Sequence, residues 1–446
     1  MSYAERMENV SVLGAAGKMG SGIVLLTALH MAELRLQPEN QGRHFVLHAM
    51  DISQQALSGL MGYMRTQVQK EAEKRIVALR KLYESREDLI ENGEIVEQYV
   101  ADTLDIVRPV TSLEPARESK LIFEAVSENP ELKVKLFSSI NQNNPHAPWF
   151  FTNTSSIPIQ ELGDKAALDG RIVGFHFYNP PAVQKLVELI PGRSTSPELL
   201  DFARTLAAKL GKLVVPANDI AGFIGNGHFM RDILQAVAEV TRLATEIAWE
   251  EAVYAADRVS RDFLLRPMGI FQLVDYVGLD VCQCILAVMA SHIANENLHS
   301  PLIDQLVARG VLGGQYADGS QKNGFFQYEK GQPQAVYVPQ RNGYRPLAEF
   351  QKGCDERIGA LPEKGVSWKS IVKKTDAAET LSLFFRKMSA MKTFGAELAM
   401  RLGRRSREIG LQLVADRVAQ KEEDVNTVLL TGFFHVYGPI NPFFSR

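Results

Sequence analysis

The fold is decided by the stretch VSVLGAAGKMGSGIVLL, Val10 to Leu26. Val10-Ser-Val-Leu13 has strand character and runs directly into a glycine-rich turn, Gly14 to Gly20. Ile23, Val24, Leu25 and Leu26 then read as a buried helix. A second strand, Phe45 to Met50, ends at Asp51. Strand, glycine turn, helix, strand and terminal acid form the opening of a dinucleotide-binding unit. Glycine at 14, 17 and 20 keeps side chains out of a turn that must approach a pyrophosphate. The helix behind it offers free N–H groups and its positive dipole end to that anion. Gly14, Gly17, Lys18, Met19 and Gly20 are the candidate phosphate loop. Asp51 is the candidate acceptor for a ribose 2′-hydroxyl. A carboxylate there would repel a 2′-phosphate, so NAD is expected rather than NADP. The spacing is G-x-x-G-x-x-G instead of the commoner G-x-G-x-x-G, and about ten extra residues around 31–43 lengthen the path to Asp51. A purely structural glycine turn would carry the same string.

Further apolar runs extend the sheet: Lys120–Val126, Trp149–Phe151, Arg171–His176, Leu186–Ile190 and Leu213–Val215. Continuous apolar strands separated by helices favour a parallel sheet covered on both faces. Residues 59–107 are strongly charged with apolar positions at helical spacing, and read as an inserted pair of long helices. After Pro216 the pattern is helical, with Phe229, Met230, Ile233, Leu234, Val237 and Val240 on one face. A polar stretch over 312–347 reads as loop, and helical patterning resumes from 376. A weak repeat at an offset of 172 pairs Glu250, Glu251 and Val253 with Glu422, Glu423 and Val425, and Pro267 and Phe271 with Pro439 and Phe443. The expected fold is therefore α/β: a Rossmann-like doubly wound sheet over 1–217, a helical module over 218–330, and a linker with a second, degenerate helical module over 331–446.

Composition narrows the function. The chain has 446 residues, enough for about three domains, and 46% are hydrophobic and 23% charged, which excludes wholesale disorder. Lys+Arg is 49 against Asp+Glu at 52, a net charge of −3, so no nucleic-acid or anionic-membrane footprint is expected. No apolar run reaches the ~18 residues of a membrane span. Three scattered cysteines (Cys282, Cys284 and Cys354) and a charged N-terminus lead to the expectation of a reducing, cytoplasmic setting. No metal is called for.

His176 ends an apolar strand, and Glu188 lies inside another, in KLVELI. A carboxylate flanked by Val187 and Leu189 is costly to desolvate unless paired. A turn at Pro180-Pro181 would fold the two strands together, and a buried carboxylate facing an imidazole orients the ring and raises its basicity. A general base needs that arrangement; a satisfied core histidine is the plainer alternative. Thr154, Ser155 and Ser156 follow a strand end, where open sheets place their sites, though they would also serve as helix caps. Asn226, in AGFIGNGH, opens the first long helix of the next module and would equally serve as a cap.

Together these pieces resemble the 3-hydroxyacyl-CoA dehydrogenase family. The resemblance is carried by FEAVSENPELKVKLF (123–137), NTSSIPI (153–159), GFHFYNPPAVQKLVELI (174–190), DIAGFIGN (219–226), RPMGIFQLVDYVGLD (266–280) and GVLGGQYADGSQKNGFFQYE (310–329). It is dense over 10–30 and 120–330 and thin from 330 onward. The tandem helical modules look like the dehydrogenase portion of multifunctional fatty-acid oxidation proteins. The resemblance implies NAD-dependent oxidation of an (S)-3-hydroxyacyl-CoA. It places His176 on the catalytic base, Glu188 on the acid that orients it, and Ser155 and Asn226 on the groups that hold the reacting oxygen. Glu128, Lys133 and Asn153 fall on cofactor-contacting positions. The charged helices would hold the CoA end, with Lys70, Lys74 and Arg75 as candidate phosphate contacts. An acyl-CoA substrate is implied. So is a homodimer through the helical module, or a monomer if the second module covers that surface. A dehydrogenase of another small hydroxy acid and a non-catalytic NAD-binding scaffold are the rival readings. Besides the glycine spacing and the extra residues at 31–43, Gly227-His228 stands where the family usually has a basic residue after the Asn.

Overall fold

The computed structural model describes residues 1–316 and 319–445, so Ala317 and Asp318 of the 310–329 motif lie outside the described residues. The chain divides into two compact units, Met1–Asp219 and Ile220–Arg446.

The first unit is an eight-stranded sheet covered by helices. Its strands are β1 (Asn9–Leu13), β2 (Val46–Met50), β3 (Val107–Val110), β4 (Leu121–Glu124), β5 (Trp149–Thr152), β6 (Ile172–Phe177), β7 (Leu186–Pro191) and β8 (Leu213–Pro216). They lie in the order β3-β2-β1-β4-β5-β6-β7-β8. All neighbours are parallel except β6 and β7, which are antiparallel. The central strands are buried on both faces, as their unbroken apolar runs require. Its helices are α1 (Tyr3–Met7), α2 (Gly20–Leu36), α3 (Gln54–Lys74), α4 (Ile76–Leu82), α5 (Asn92–Ile106), α6 (Pro130–Asn143), α7 (Ile159–Lys165) and α8 (Pro197–Lys209). The inserted helix pair expected over 59–107 is thus three helices, α3 to α5, because the chain turns at Arg75 and again beyond Leu82. β3 follows them at the sheet edge.

Alternation along β6 prepares the site. Phe175 and Phe177 point to one face and join Phe123 and Phe151, with ring centroids 5.0 to 6.3 Å apart. Gly174 and His176 take the other face. Truncating one such buried ring to Ala costs about 3–5 kcal/mol, so the aromatic layer fixes the strand that carries the polar one.

The second unit contains α9 (Gly225–Leu243), α10 (Trp249–Asp262), α11 (Ile270–Val277), α12 (Leu279–His292), α13 (Pro301–Ala308), α14 (Gln351–Ile358), α15 (Trp368–Val372), α16 (Ala378–Ala390), α17 (Phe394–Ala415) and α18 (Glu422–Gly432). Between α13 and α14 lies an antiparallel sheet of β9 (Phe326–Glu329), β10 (Gln332–Val338) and β11 (Gly343–Pro346). The polar stretch 312–347, read as loop from its composition, is therefore partly strand. Asp275 on α11 is fully buried and accepts from the N–H groups of Phe325 and Phe326 (2.6 and 2.9 Å) and the hydroxyl of Tyr328 (2.8 Å), which ties β9 to the helices. Both helical modules share one hydrophobic core that runs from Ala221 to Phe444. No single helix among the described residues is long and apolar enough to cross a membrane.

The repeat is present, but its offset changes along the chain. α9 and α17 start 169 residues apart, at Gly225 and Phe394. Asp257 accepts from the N–H of Phe271 at 2.9 Å, and Asn426 accepts from that of Ile440 at 3.0 Å; each pair is again 169 apart. The offset of 172 fits only Glu250, Glu251 and Val253, between these points, because α17 is 22 residues against 19 for α9 and α18 is 11 against 14 for α10. Phe271 stands opposite Ile440, so its match with Phe443, and that of Pro267 with Pro439, does not hold. Each difference is three residues, close to one helical turn, so the buried faces are kept. The counterpart of Asn226 at the offset of 169 is Gly395, which has no side chain to offer.

Candidate active site

The glycine turn closes as its sequence demands. Gly14 has φ +74°, and a Cβ there would stand 2.6 Å from the carbonyl oxygen of Ala125. A Cβ on Gly20 would stand 2.0 Å from the carbonyl oxygen of Gly14. Gly17 and Lys18 are exposed at the crest of the turn and Met19 is half-buried. α2 begins at Gly20 without a side-chain cap, as a helix end reserved for an anion does. Asp51 directly follows β2 and faces this turn, its Oδ2 accepting the Ala16 N–H at 3.1 Å and its Oδ1 that of Ser53 at 3.3 Å. A turn with glycine at 14, 17 and 20, an uncapped helix end and a strand-end carboxylate fit a dinucleotide with an unmodified ribose.

Beside this turn, β4 and β5 build a buried polar relay. Glu124 is fully buried and accepts from the Thr152 hydroxyl (2.6 Å), the Val126 N–H (2.8 Å) and the Lys133 ammonium (2.6 Å). Lys133 reaches Glu128 as well, at 3.4 Å. Oε1 of Glu128 gathers the hydroxyls of Thr154 (2.7 Å), Ser155 (3.2 Å) and Ser156 (2.8 Å) and the N–H groups of Ser155 (2.8 Å) and Ser156 (3.0 Å). Burial opposes charge on Glu128, yet Lys133 and the donors of Thr154, Ser156 and Ser155 outweigh it and hold the carboxyl below its ordinary value. Lys133, expected as a cofactor contact, is buried, with its ammonium between the Glu124 and Glu128 carboxylates. Thr154 and Ser156 are buried, whereas Asn153 and Ser155 are partly exposed on the alternate positions. Asn153 Oδ1 accepts the Phe177 N–H at 2.8 Å and so pins the end of β6.

His176 and Glu188 are register partners across β6 and β7. Nδ1 of His176 lies 2.8 Å from Oε2 of Glu188, whose side chain is fully buried. The carboxylate accepts, so Nδ1 carries the proton and Nε2 is the basic nitrogen. The chain turns between the strands through the 180–184 segment, where the N–H groups of Val183 and Gln184 donate to the Pro180 carbonyl (3.0 and 2.9 Å). A residue not anticipated from the sequence also enters: the hydroxyl of buried Tyr178 donates to the same Glu188 oxygen at 3.0 Å. The signal was available, since Tyr178 is two positions from His176.

Lys70 and Lys74 are exposed and Arg75 half-buried on α3 and just beyond it. All three line one groove of the first unit together with Lys185, Lys209 and Lys212. Arg75 pairs with Glu33, and Lys74 lies 3.6 Å from Glu71. Burial pushes the Lys212 ammonium down to about 8 while it donates to the carbonyls of Pro181 and Gln184.

Asn226 is the second residue of α9, and from Ala221 to Met230 it alone is not buried. Next to it, Gly227 leaves room for Arg231, whose guanidinium donates to the Gly227 carbonyl at 2.8 Å and grips Glu296 through two contacts of 2.8 Å. His228 is buried against Ser406, with Nε2 3.1 Å from both its carbonyl and its hydroxyl, and burial pushes its pKa down to about 4.

A glycine cradle for a dinucleotide and a histidine–carboxylate pair at the same sheet crest define a nicotinamide-dependent dehydrogenase. Comparison with known proteins narrows this. Residues 9–220 match the 3-hydroxyacyl-CoA dehydrogenase NAD binding domain, and residues 222–323 match the 3-hydroxyacyl-CoA dehydrogenase C-terminal domain. The chain is 29% identical over 321 residues to a probable 3-hydroxybutyryl-CoA dehydrogenase of Bacillus subtilis, covering 72% of this chain and 97% of that protein. It is 29% identical over 255 residues to human mitochondrial hydroxyacyl-coenzyme A dehydrogenase, covering 56% of this chain and 77% of that one. The crystal structure of M. tuberculosis FadB2 superposes with a TM-score of 0.55 at 26% identity, over 72% of this chain and 99% of that one. The fold of a 3-hydroxybutyryl-CoA dehydrogenase from Escherichia coli covers 97% of this chain and 90% of its own, with a TM-score of 0.62 at 21% identity. The chain belongs to the 3-hydroxyacyl-CoA dehydrogenase family and is an NAD-dependent oxidoreductase.

Proposed function

We propose that the chain oxidises (S)-3-hydroxyacyl-CoA to 3-oxoacyl-CoA, a step of fatty-acid β-oxidation, with His176 as general base and Glu188 as its orienting acid. The observation that carries this reading is the 2.8 Å contact between His176 Nδ1 and Glu188 Oε2. With Nδ1 held as a donor, Nε2 takes the proton of the substrate hydroxyl. The buried Glu188 carboxylate stabilises the imidazolium that forms. NAD, when bound, supplies the acceptor for the C3 hydrogen and its electron pair. Ser155 and Asn226 are assigned the hydrogen bonds to the developing carbonyl oxygen on the motifs that contain them; the Ser155 hydroxyl makes its bond by turning from Glu128 to the substrate. General-base catalysis of this kind is worth ~10²- to 10⁴-fold in rate. The groove of Lys70, Lys74 and Arg75 is assigned to the phosphates of the CoA end, with Lys185, Lys209 and Lys212 adding positive charge on its other wall. The test is NADH consumption with acetoacetyl-CoA and with longer 3-oxoacyl thioesters, compared with free 3-oxo acids. Turnover on the thioesters alone supports the reading. Turnover on free acids, or NADH binding without turnover on any of these, overturns it.

A further inference from the structure

We propose that Tyr178 is a positioning residue that sets the proton affinity of His176 through Glu188. The inference rests on the general-base reading above and adds a third member to the pair.

The geometry is specific. Tyr178 directly follows β6, two residues after His176, and the two rings lie 5.0 Å apart at 40°. Glu188 reaches them from the neighbouring strand and places one oxygen, Oε2, 2.8 Å from the imidazole Nδ1 and 3.0 Å from the phenol oxygen. A carboxylate is acceptor-only, so both neighbours donate to it. In the sheet, Glu188 is flanked in register by His176 on β6 and Val215 on β8, and along β7 by Val187 and Leu189. The titratable groups seen to bond that carboxylate include His176 and Tyr178. Burial and the adjacent Glu188 charge both raise the Tyr178 phenol well above its ordinary value, so it stays a donor at any working pH.

Two donors on one oxygen share its charge. Each hydrogen bond that stabilises the Glu188 carboxylate reduces what the carboxylate gives to the imidazolium. The Tyr178 hydroxyl thus competes with the imidazole for the Glu188 charge. It also fixes the carboxylate rotamer, so that Nδ1 is the nitrogen held and Nε2 the one presented. Removing the hydroxyl leaves the full negative charge to His176, and the imidazole then holds a proton to higher pH.

The test is Tyr178→Phe, read by the 15N-histidine NMR titration of His176 and by the pH profile of kcat/KM for 3-hydroxyacyl-CoA oxidation. The acid limb of the profile and the NMR midpoint are both expected to move up by about 0.5 pH unit or more, with the KM for NAD within twofold of wild type. Site-specific replacement of Tyr178 by a fluorotyrosine, which keeps the shape but donates more strongly, is expected to move both readouts down. An unmoved midpoint in a folded Tyr178→Phe protein overturns the proposal, as does a shift of the same sign in both variants. If Tyr178→Phe does not fold, the fluorotyrosine protein decides alone. The NMR midpoint needs no turnover, so failure of this proposal is distinguishable from failure of the dehydrogenase reading.

Discussion

His176 and Glu188 face each other as register partners on the one antiparallel pair of an otherwise parallel sheet, 2.8 Å apart from Nδ1 to Oε2. Parallel neighbours are joined by long crossovers. Only the antiparallel turn lets residues 12 apart in the chain meet side by side. The reversal of β7 therefore brings a buried carboxylate to the histidine at the sheet crest. Glu188→Gln keeps the volume and removes the charge. It is expected to cut kcat by 10²-fold or more, in line with the ~10²- to 10⁴-fold worth of a general base, while NADH binding, read by fluorescence, stays near wild type.

Lys133 supports the site from beneath. Replacing it with Met leaves Glu124 and Glu128 facing each other's surroundings without their buried cation. Breaking a buried pair on one side costs ~3–5 kcal/mol. Thermal unfolding should show a fall of that size, and activity measured below the new transition should fall too, because Glu128 no longer holds Ser155 and Ser156.

Glu128 gives the fold a pH dependence of known sign. Its carboxyl is held below the ordinary 4.5 because Lys133 and the Thr154, Ser156 and Ser155 donors outweigh burial. A folded value below the unfolded one means stability that is complete above about 4.5 and is lost as pH falls through the folded value. Glu128→Gln is expected to flatten the decline of Tm below pH 4.5, measured by calorimetry against wild type over the same range.

The α3 groove predicts a charge effect confined to the thioester. Lys70→Glu with Lys74→Glu should raise the KM for acetoacetyl-CoA about tenfold at low salt, less at high salt as screening grows. The KM for the corresponding pantetheine thioester, which lacks the phosphates of the nucleotide, should not move. Equal effects on both substrates would remove the groove from the CoA path.

Much of this was legible in the sequence because the informative residues break a local rule. Glu188 sits in an apolar strand, and glycines sit where a strand meets a helix. Those violations marked the His176–Glu188 contact and the glycine turn. β3 was not legible: Val107-Arg-Pro-Val110 carries an exposed Arg108 and a proline, which only an edge strand tolerates. β9 to β11 were masked by glycine, proline and glutamine in a segment held from outside by Asp275. The repeat was visible, but its offset was not, since compensating turns in α17 and α18 leave no trace in a fixed-offset comparison. The burial of Lys133 and the hydroxyl of Tyr178 depend on which neighbours the fold supplies, and no spacing along the chain encodes that.

The most direct test of the central claim is NADH oxidation with acetoacetyl-CoA by wild type, His176→Ala and Glu188→Ala, each with its NADH affinity measured separately. The account predicts turnover in wild type, loss of at least ~10²-fold in both variants, and NADH binding retained in all three. Wild-type turnover that survives either substitution would contradict it.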